Sequence, residues 1–207
     1  VSGTWFSVVA EWLRVKRRLL AVILVVLAVA GIAAAVSLLP RYQITAFGWR
    51  AGGGWTDAWR LASAHFVHID ARHLAINLAA AVLLLGMGVW LQGARATLSA
   101  GAAAMLAVDL GLLFGPWQID WYVGMSGLLH GLFAWLAASL LLQPGERGGR
   151  LIAALLLVGG SFKVWLDLAH PLGETGWLGV PLATPAHLYG WSGGIAWALV
   201  VWWLRRR

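Results

Sequence analysis

Hydrolysis of an amide by a serine needs a hydroxyl, a base to take its proton, and donors for the oxygen that becomes negative. The chain offers Ser126, within Gly124-Met125-Ser126-Gly127, and His187, within Ala186-His187-Leu188-Tyr189-Gly190. Glycines at 124 and 127 let a substrate backbone come close to the hydroxyl. A helix starting at the serine turns free N–H groups toward an anion. His73 and Asn77 are four residues apart, hence on one helical face, and are candidate donors to an oxyanion beside the Ser126 backbone N–H. No Asp or Glu is read at matching depth beside His187, so a Ser126/His187 dyad is expected rather than a triad.

Each residue also has a plainer reading. A lone serine in a glycine-rich apolar helix usually serves helix packing. A histidine at the end of such a helix is often interfacial, and an asparagine often bonds a neighbouring helix. The case therefore rests on whether the surrounding elements bring the four together.

Those elements are set by composition. Of 207 residues, 61% are hydrophobic and 11% charged, against about 25% charged in soluble domains. Lipid is the solvent such a chain requires, and its 15 Trp match the enrichment of Trp at membrane boundaries. The absence of Cys excludes disulfides, thiolate catalysis and Cys-ligated metals. The net charge of +7 sits mainly in Arg14, Lys16, Arg17 and Arg18 and in Arg205, Arg206 and Arg207, both beside long apolar runs. That is the pattern of cytoplasmic anchors, not of a nucleic-acid module.

Runs of about 20 apolar residues are needed to span a bilayer. Six are expected: 19–39, 72–91, 96–114, 124–142, 150–168 and 186–204. The first reads as an uncleaved anchor, being longer than a signal-peptide core. The domain plan is a basic cytoplasmic segment at 1–18, a six-helix membrane domain at 19–204 and a basic tail at 205–207. Six spans put both basic termini on the cytoplasmic side. Arg95, Arg147 and Arg150 fall on inner loops, while loops 115–123 and 169–185 carry no Lys or Arg. The first loop departs, with Arg41, Arg50, Arg60 and Arg72 outside. With Trp49, Trp55 and Trp59 around three glycines, it reads as an interfacial segment.

Depth then links the candidates. At about 1.5 Å per residue, Ser126, His187, His73 and Asn77 stand about 24, 26, 27 and 21 Å above the inner ends of their spans. In a core about 30 Å thick, three helices deliver four polar groups to one layer just below the outer surface.

With these residues in view, the chain resembles the rhomboid family of intramembrane serine proteases. Gly124-Met125-Ser126-Gly127 is similar to the family's GxSG, which carries the nucleophile. Ala186 to Gly190, followed by Gly194, is similar to AHxxGxxxG, which carries the base and packs the last helix on the serine helix through positions such as Gly190 and Gly194. His73-Leu74-Ala75-Ile76-Asn77 is similar to HxxxN of the oxyanion site. The resemblance covers about residues 59–204 and implies an all-α, six-helix rhomboid-like fold, no cofactor, and a membrane-anchored protein substrate cleaved near the outer face.

Within that family the chain is most similar to the rhombosortases, in Trp59 to His68 and in Gly124 to Gly131. This implies exported substrates with a C-terminal Gly-Gly motif, a hydrophobic helix and a basic tail. It also implies a bacterial inner membrane, with the site open toward the periplasm. Two positions depart from the family. His130 stands where many members have a Tyr that stacks on the catalytic histidine. It either supports His187 by stacking or hydrogen bonding, or fills the site as a neutral imidazole, with a minor option that it is the base. Gln92, after span two, replaces a common Glu.

Lys163 and Asp167 read as an ion pair within span five. Asp109 has no chemistry assigned and is expected to act in packing, and His65 and His68 are expected to order the first loop. The competing readings are an inactive rhomboid-like binding scaffold and a histidine-ligated membrane metalloprotein. The second lacks HExxH and, on this reading, a carboxylate at depth, so no metal is expected. Oligomeric state is left open.

Overall fold

The computed structural model describes residues 3–37, 39, 46–143, 147–169 and 183–207. Arg41 and most of the fifth loop, 170–182, lie outside the described residues. The described chain is all-helical apart from one two-stranded clip. Its elements are α1 (Gly3–Ser37), β1 (Trp49–Arg50), a 3-10 turn (Trp55–Asp57), α2 (Trp59–Ala64), α3 (Ala71–Gln92), α4 (Ala94–Phe114), β2 (Trp121–Tyr122), α5 (Ser126–Leu142), α6 (Arg147–Ala169) and α7 (Thr184–Leu204).

Among the described residues, four helical segments are long and apolar enough to cross a membrane: Ser7–Ser37, α3, α4 and α6. α5 is shorter, at 17 residues. α1 starts well before the expected first span, so the basic residues 14–18 belong to the same continuous helix. No Gly or Pro interrupts Thr4 to Ala30, so nothing in the backbone stops the helix at the change from polar to apolar.

Local signals account for the boundaries. Asp70 caps α3, its Oδ1 accepting from the His73 N–H at 2.7 Å. Gly93, at φ +90°, is the single residue between α3 and α4, a conformation open mainly to glycine. Pro185 opens the first turn of α7, where its missing N–H costs nothing.

α5 is the central helix. It is apolar around its whole circumference and buries Leu128, Leu129, Leu132, Trp135 and Leu136, as a helix enclosed by others should. Its closest partner is α7, with α3, α4 and α6 around it. Glycines set that approach: a Cβ at Gly190 would fall on the Gly127 carbonyl oxygen, and one at Gly194 on that of Gly131. Small residues every four positions on both helices let the two backbones touch, the usual packing device between membrane helices.

α1 lies on α3 and buries few side chains. α6 is also peripheral and buries only Ala153 and Val164, while Leu151, Ile152, Leu155 and Val158 face outward at 61–68% exposure.

The first loop is more ordered than an interfacial strap. β1 pairs antiparallel with β2, with Trp49 opposite Tyr122 and Arg50 opposite Trp121. The Ala51 N–H extends the clip to the Asp120 carbonyl at 2.9 Å. The Gly124 N–H donates to the Ala64 carbonyl, also at 2.9 Å, which ties α2 to the turn before the serine. Trp55 and Trp59 remain outward, as expected at a membrane boundary.

Candidate active site

Ser126 is the first residue of α5, reached through a turn in which Gly124 holds φ +110°. A side chain there would be strained, and its Cβ would lie 2.7 Å from the His73 ring. The turn is braced from behind. The Tyr122 hydroxyl donates to the Gly124 carbonyl at 2.7 Å and stands 3.4 Å from His65 Nδ1, and His65 Nε2 is 3.1 Å from Asp109 Oδ1. Burial, reinforced by the nearby Asp109 carboxylate, pushes the Tyr122 phenol up, so it keeps its proton for that bond. Asp109, without assigned chemistry in the sequence, is the far end of this brace.

His187 lies one turn into α7 and is buried. Its Nε2 is 3.0 Å from Ser126 Oγ. The Gly127–Gly190 and Gly131–Gly194 contacts make this distance accessible, because bulkier residues would hold the two helices apart.

The absence of a carboxylate beside His187, expected from the sequence, is corrected by the structure. Asp167 Oδ2 lies 2.8 Å from His187 Nδ1. Lys163, four residues earlier on α6, donates to the same oxygen at 2.6 Å, so the ion pair exists but is half of a larger network. Spacing carried the missed signal. Asp167 is seventeen residues beyond Arg150, the start of the expected fifth span, so the same count of helical rise gives it an expected height of about 26 Å, matching that expected of His187. Its ready pairing with Lys163 hid that match.

His130 joins the network from α5. Its ring stacks on His187, with centroids 4.1 Å apart and planes within 15°. Its Nδ1 is 2.7 Å from the Ser126 carbonyl and its Nε2 is 2.8 Å from Lys163 Nζ. A carbonyl only accepts and an ammonium only donates, so His130 is the neutral Nδ1–H tautomer. Both ring nitrogens are thereby engaged, and neither is open to a serine proton. The same logic makes His187 an Nδ1–H donor to Asp167, leaving its Nε2 lone pair for the Ser126 hydroxyl.

His130, Asp167 and His187 turn three ligand atoms to within 4.8 Å of one another, a set of the kind a divalent cation takes. The premise that no carboxylate accompanies the histidines therefore does not hold. In this arrangement the Lys163 ammonium bridges two of the three, His130 and Asp167.

His73 and Ser126 line one cavity of about 310 Å³, together with Ile69, Trp117, Tyr122 and Pro185. Asn77 is buried one turn below His73, its amide donating to the His73 carbonyl at 3.1 Å. His68 packs edge-on against His73, with centroids 5.0 Å apart. Burial, and then repulsion from a charged His73, lowers the His68 pKa to about 4, so it packs as a neutral ring. At the opposite end of the bundle, Gln92 donates no charge but accepts from Gln143 Nε2 at 2.7 Å, joining α3 to α5 without the acid common in the resembled family.

The fold and site together define an all-helical protein with apolar, membrane-length helices around a Ser–His–Asp hydrogen-bonded chain. No family model matches the chain. Among curated proteins it is similar to the rhomboid protease GlpG of Salmonella newport (strain SL254), Salmonella heidelberg (strain SL476) and Salmonella typhi. Each is 28% identical over 155 residues, covering 70% of this chain and 49% of the relative. The chain thus spans about half the length of the curated relatives it matches. The apolar helices and this similarity support an integral membrane protein.

Proposed function

We propose that this chain is a rhomboid-type intramembrane serine endopeptidase, with Ser126 as nucleophile and His187 as general base. The observation that carries the reading is the 3.0 Å contact between Ser126 Oγ and His187 Nε2. That is within the hydrogen-bond reach a base needs. The similarity to proteins named rhomboid protease supports the same chemistry.

In this mechanism His187 Nε2 takes the hydroxyl proton as Ser126 Oγ bonds to the scissile carbonyl carbon. The resulting oxyanion lies over the start of α5, where the Ser126 N–H is free of the helix ladder. His73, in the same cavity, is a second donor. Asn77 supports the His73 segment, and its remaining amide N–H is a third donor. When the C–N bond breaks, the imidazolium passes its proton to the leaving amine. Water from the cavity, whose wall includes Gln118 and Asp120, then hydrolyses the ester with His187 again as base.

The membrane arrangement that fits is six crossings by α1, α3, α4, α5, α6 and α7. The 17 residues of α5 extend about 25 Å, a short crossing that leaves Ser126 below the outer surface. Both basic ends then lie on the cytoplasmic side, and the site opens toward the periplasm. The substrate is a membrane-anchored exported protein. The rhombosortase-like stretches favour a C-terminal Gly-Gly motif followed by a hydrophobic helix and basic tail.

The test uses a serine-directed fluorophosphonate on the purified wild type, Ser126→Ala and His187→Ala, with cleavage of a substrate carrying or lacking the Gly-Gly segment. Labelling and cleavage should vanish in Ser126→Ala, and cleavage should require the segment. Unchanged turnover by Ser126→Ala would sink the mechanism. Indifference to the Gly-Gly segment would remove the finer assignment alone.

A further inference from the structure

Behind the Ser126/His187 pair, α6 presents two groups that a dyad does not use. Asp167 Oδ2 accepts from His187 Nδ1 at 2.8 Å and from Lys163 at 2.6 Å. Lys163 also reaches His130 Nε2 at 2.8 Å. We propose that Asp167 and Lys163 are positioning residues for the hydrolysis, so that the site works as a Ser126–His187–Asp167 triad locked by Lys163 and His130. The inference rests on the reading of Ser126 and His187 as nucleophile and base.

A lysine and an aspartate four apart on a helix can pair for their own sake, and such a pair is worth only a few tenths of a kcal/mol. That explanation requires nothing of the imidazole. Here one carboxylate oxygen receives both donors, and its second partner is the ring in contact with the serine. A carboxylate facing Nδ1 keeps the proton on that nitrogen and leaves Nε2 as the acceptor. During reaction the Ser126 proton moves to Nε2 while the Nδ1 proton stays on the ring. Asp167 remains ionised throughout and faces the imidazolium that forms. The proton then leaves with the amine, and the carboxylate returns to its starting state.

Lys163 completes the lock on two sides. Its ammonium fixes the carboxylate through one N–H and the His130 lone pair through another. His130 in turn donates to the Ser126 carbonyl and stacks on His187. The charged and titratable groups facing His187 are therefore Lys163 and Asp167 from α6, His130 from α5 and His73 from α3. α6 also packs Val164 against Ala134 and Trp191 of the catalytic helices, and these polar ties add to that apolar contact.

The experiment compares Asp167→Asn, Asp167→Ala, Asp167→Glu and Lys163→Met with the wild type in detergent or liposomes. It measures kcat and KM on an anchored substrate and the rate of fluorophosphonate labelling at Ser126. Asparagine has the shape of aspartate but offers an N–H to Nδ1, which puts the imidazole in the wrong tautomer. Asp167→Asn should therefore lose about 10²–10⁴-fold in kcat with KM little changed, and be no better than Asp167→Ala. Asp167→Glu should stay well above both, and Lys163→Met should fall about 10- to 150-fold, the scale of a lost charged hydrogen bond.

A purely structural role predicts the reverse order, with Asn milder than Ala. That order, or a wild-type kcat in Asp167→Asn, overturns the proposal. If Asp167→Asn does not fold, the comparison of Asp167→Glu with Asp167→Ala decides. A tenfold advantage for Glu supports the triad, and equality overturns it. Retained activity in Ser126→Ala signals a different failure, that of the underlying nucleophile assignment.

Discussion

His130 and His187 lie face to face, 4.1 Å between ring centroids, although 57 residues separate them in the chain. The contact holds the His187 ring plane from one side while Asp167 holds its Nδ1 edge. His130→Ala should remove the stack and the link to Lys163, lowering kcat about 10-fold or more with the fold retained. His130→Tyr should recover most of the loss, because an aromatic ring restores the stack. Steady-state cleavage by the two variants checks this, and equal activities would show that the stack is unimportant.

Gly190 and Gly194 face carbonyl oxygens of α5 at a separation that admits no Cβ. Gly190→Ala or Gly194→Ala should push α7 away, destabilising the protein by about 1–3 kcal/mol, the usual cost of overpacking. Ser126 and His187 would separate as well. Thermal unfolding in detergent and the Ser126 labelling rate should fall together. A labelling rate that survives a lowered midpoint would separate packing from chemistry.

The brace behind Gly124 predicts an effect from residues that touch no reacting atom. Tyr122→Phe leaves the buried Gly124 carbonyl without its donor, a loss of about 1–3 kcal/mol. Asp109→Asn weakens the support of His65. Both should lower the labelling rate at Ser126 while substrate KM stays near the wild-type value. A large rise in KM with normal labelling would instead assign these residues to substrate binding.

His73 shares the Ser126 cavity. His73→Ala should lower kcat by roughly 10- to 1,000-fold, the scale for one oxyanion donor, with little effect on labelling-site identity. Asn77→Ala should lower it less, because the asparagine amide already spends one N–H on the His73 carbonyl and has one left for the oxyanion.

His68 supplies a pH dependence of stability. Its folded pKa is about 4 against an ordinary 6.5, because burial opposes the charged ring. Between those values the unfolded chain binds more protons than the folded one, so stability rises with pH. This contribution is fully present above about 6.5 and is lost as pH falls toward 4. The unfolding midpoint in detergent should drop over that window, and the drop should be smaller in His68→Phe. An identical pH profile in that variant would refute the assignment.

Much of the site was legible because its motifs are local. Gly124 and Gly127 around Ser126, Gly190 and Gly194 after His187, and the four-residue step from His73 to Asn77 are spacings along single helices. Composition likewise called for lipid, and helical rise placed the polar residues in one layer. Length alone did not settle the crossings: among the described residues four helical segments are long and apolar enough to cross a membrane, while α5 is shorter than they are and enclosed by its neighbours. The neutral tautomer of His130, the role of Asp109 behind Tyr122, and the reach of Asp167 to His187 depend on how helices rotate and approach. Depth can be counted from sequence, but azimuth cannot, since it follows from which side chains and glycines interlock across helices. Asp167 shows the difference, its expected height readable from its position in the expected fifth span and its partner decided only when α6 packed beside α7.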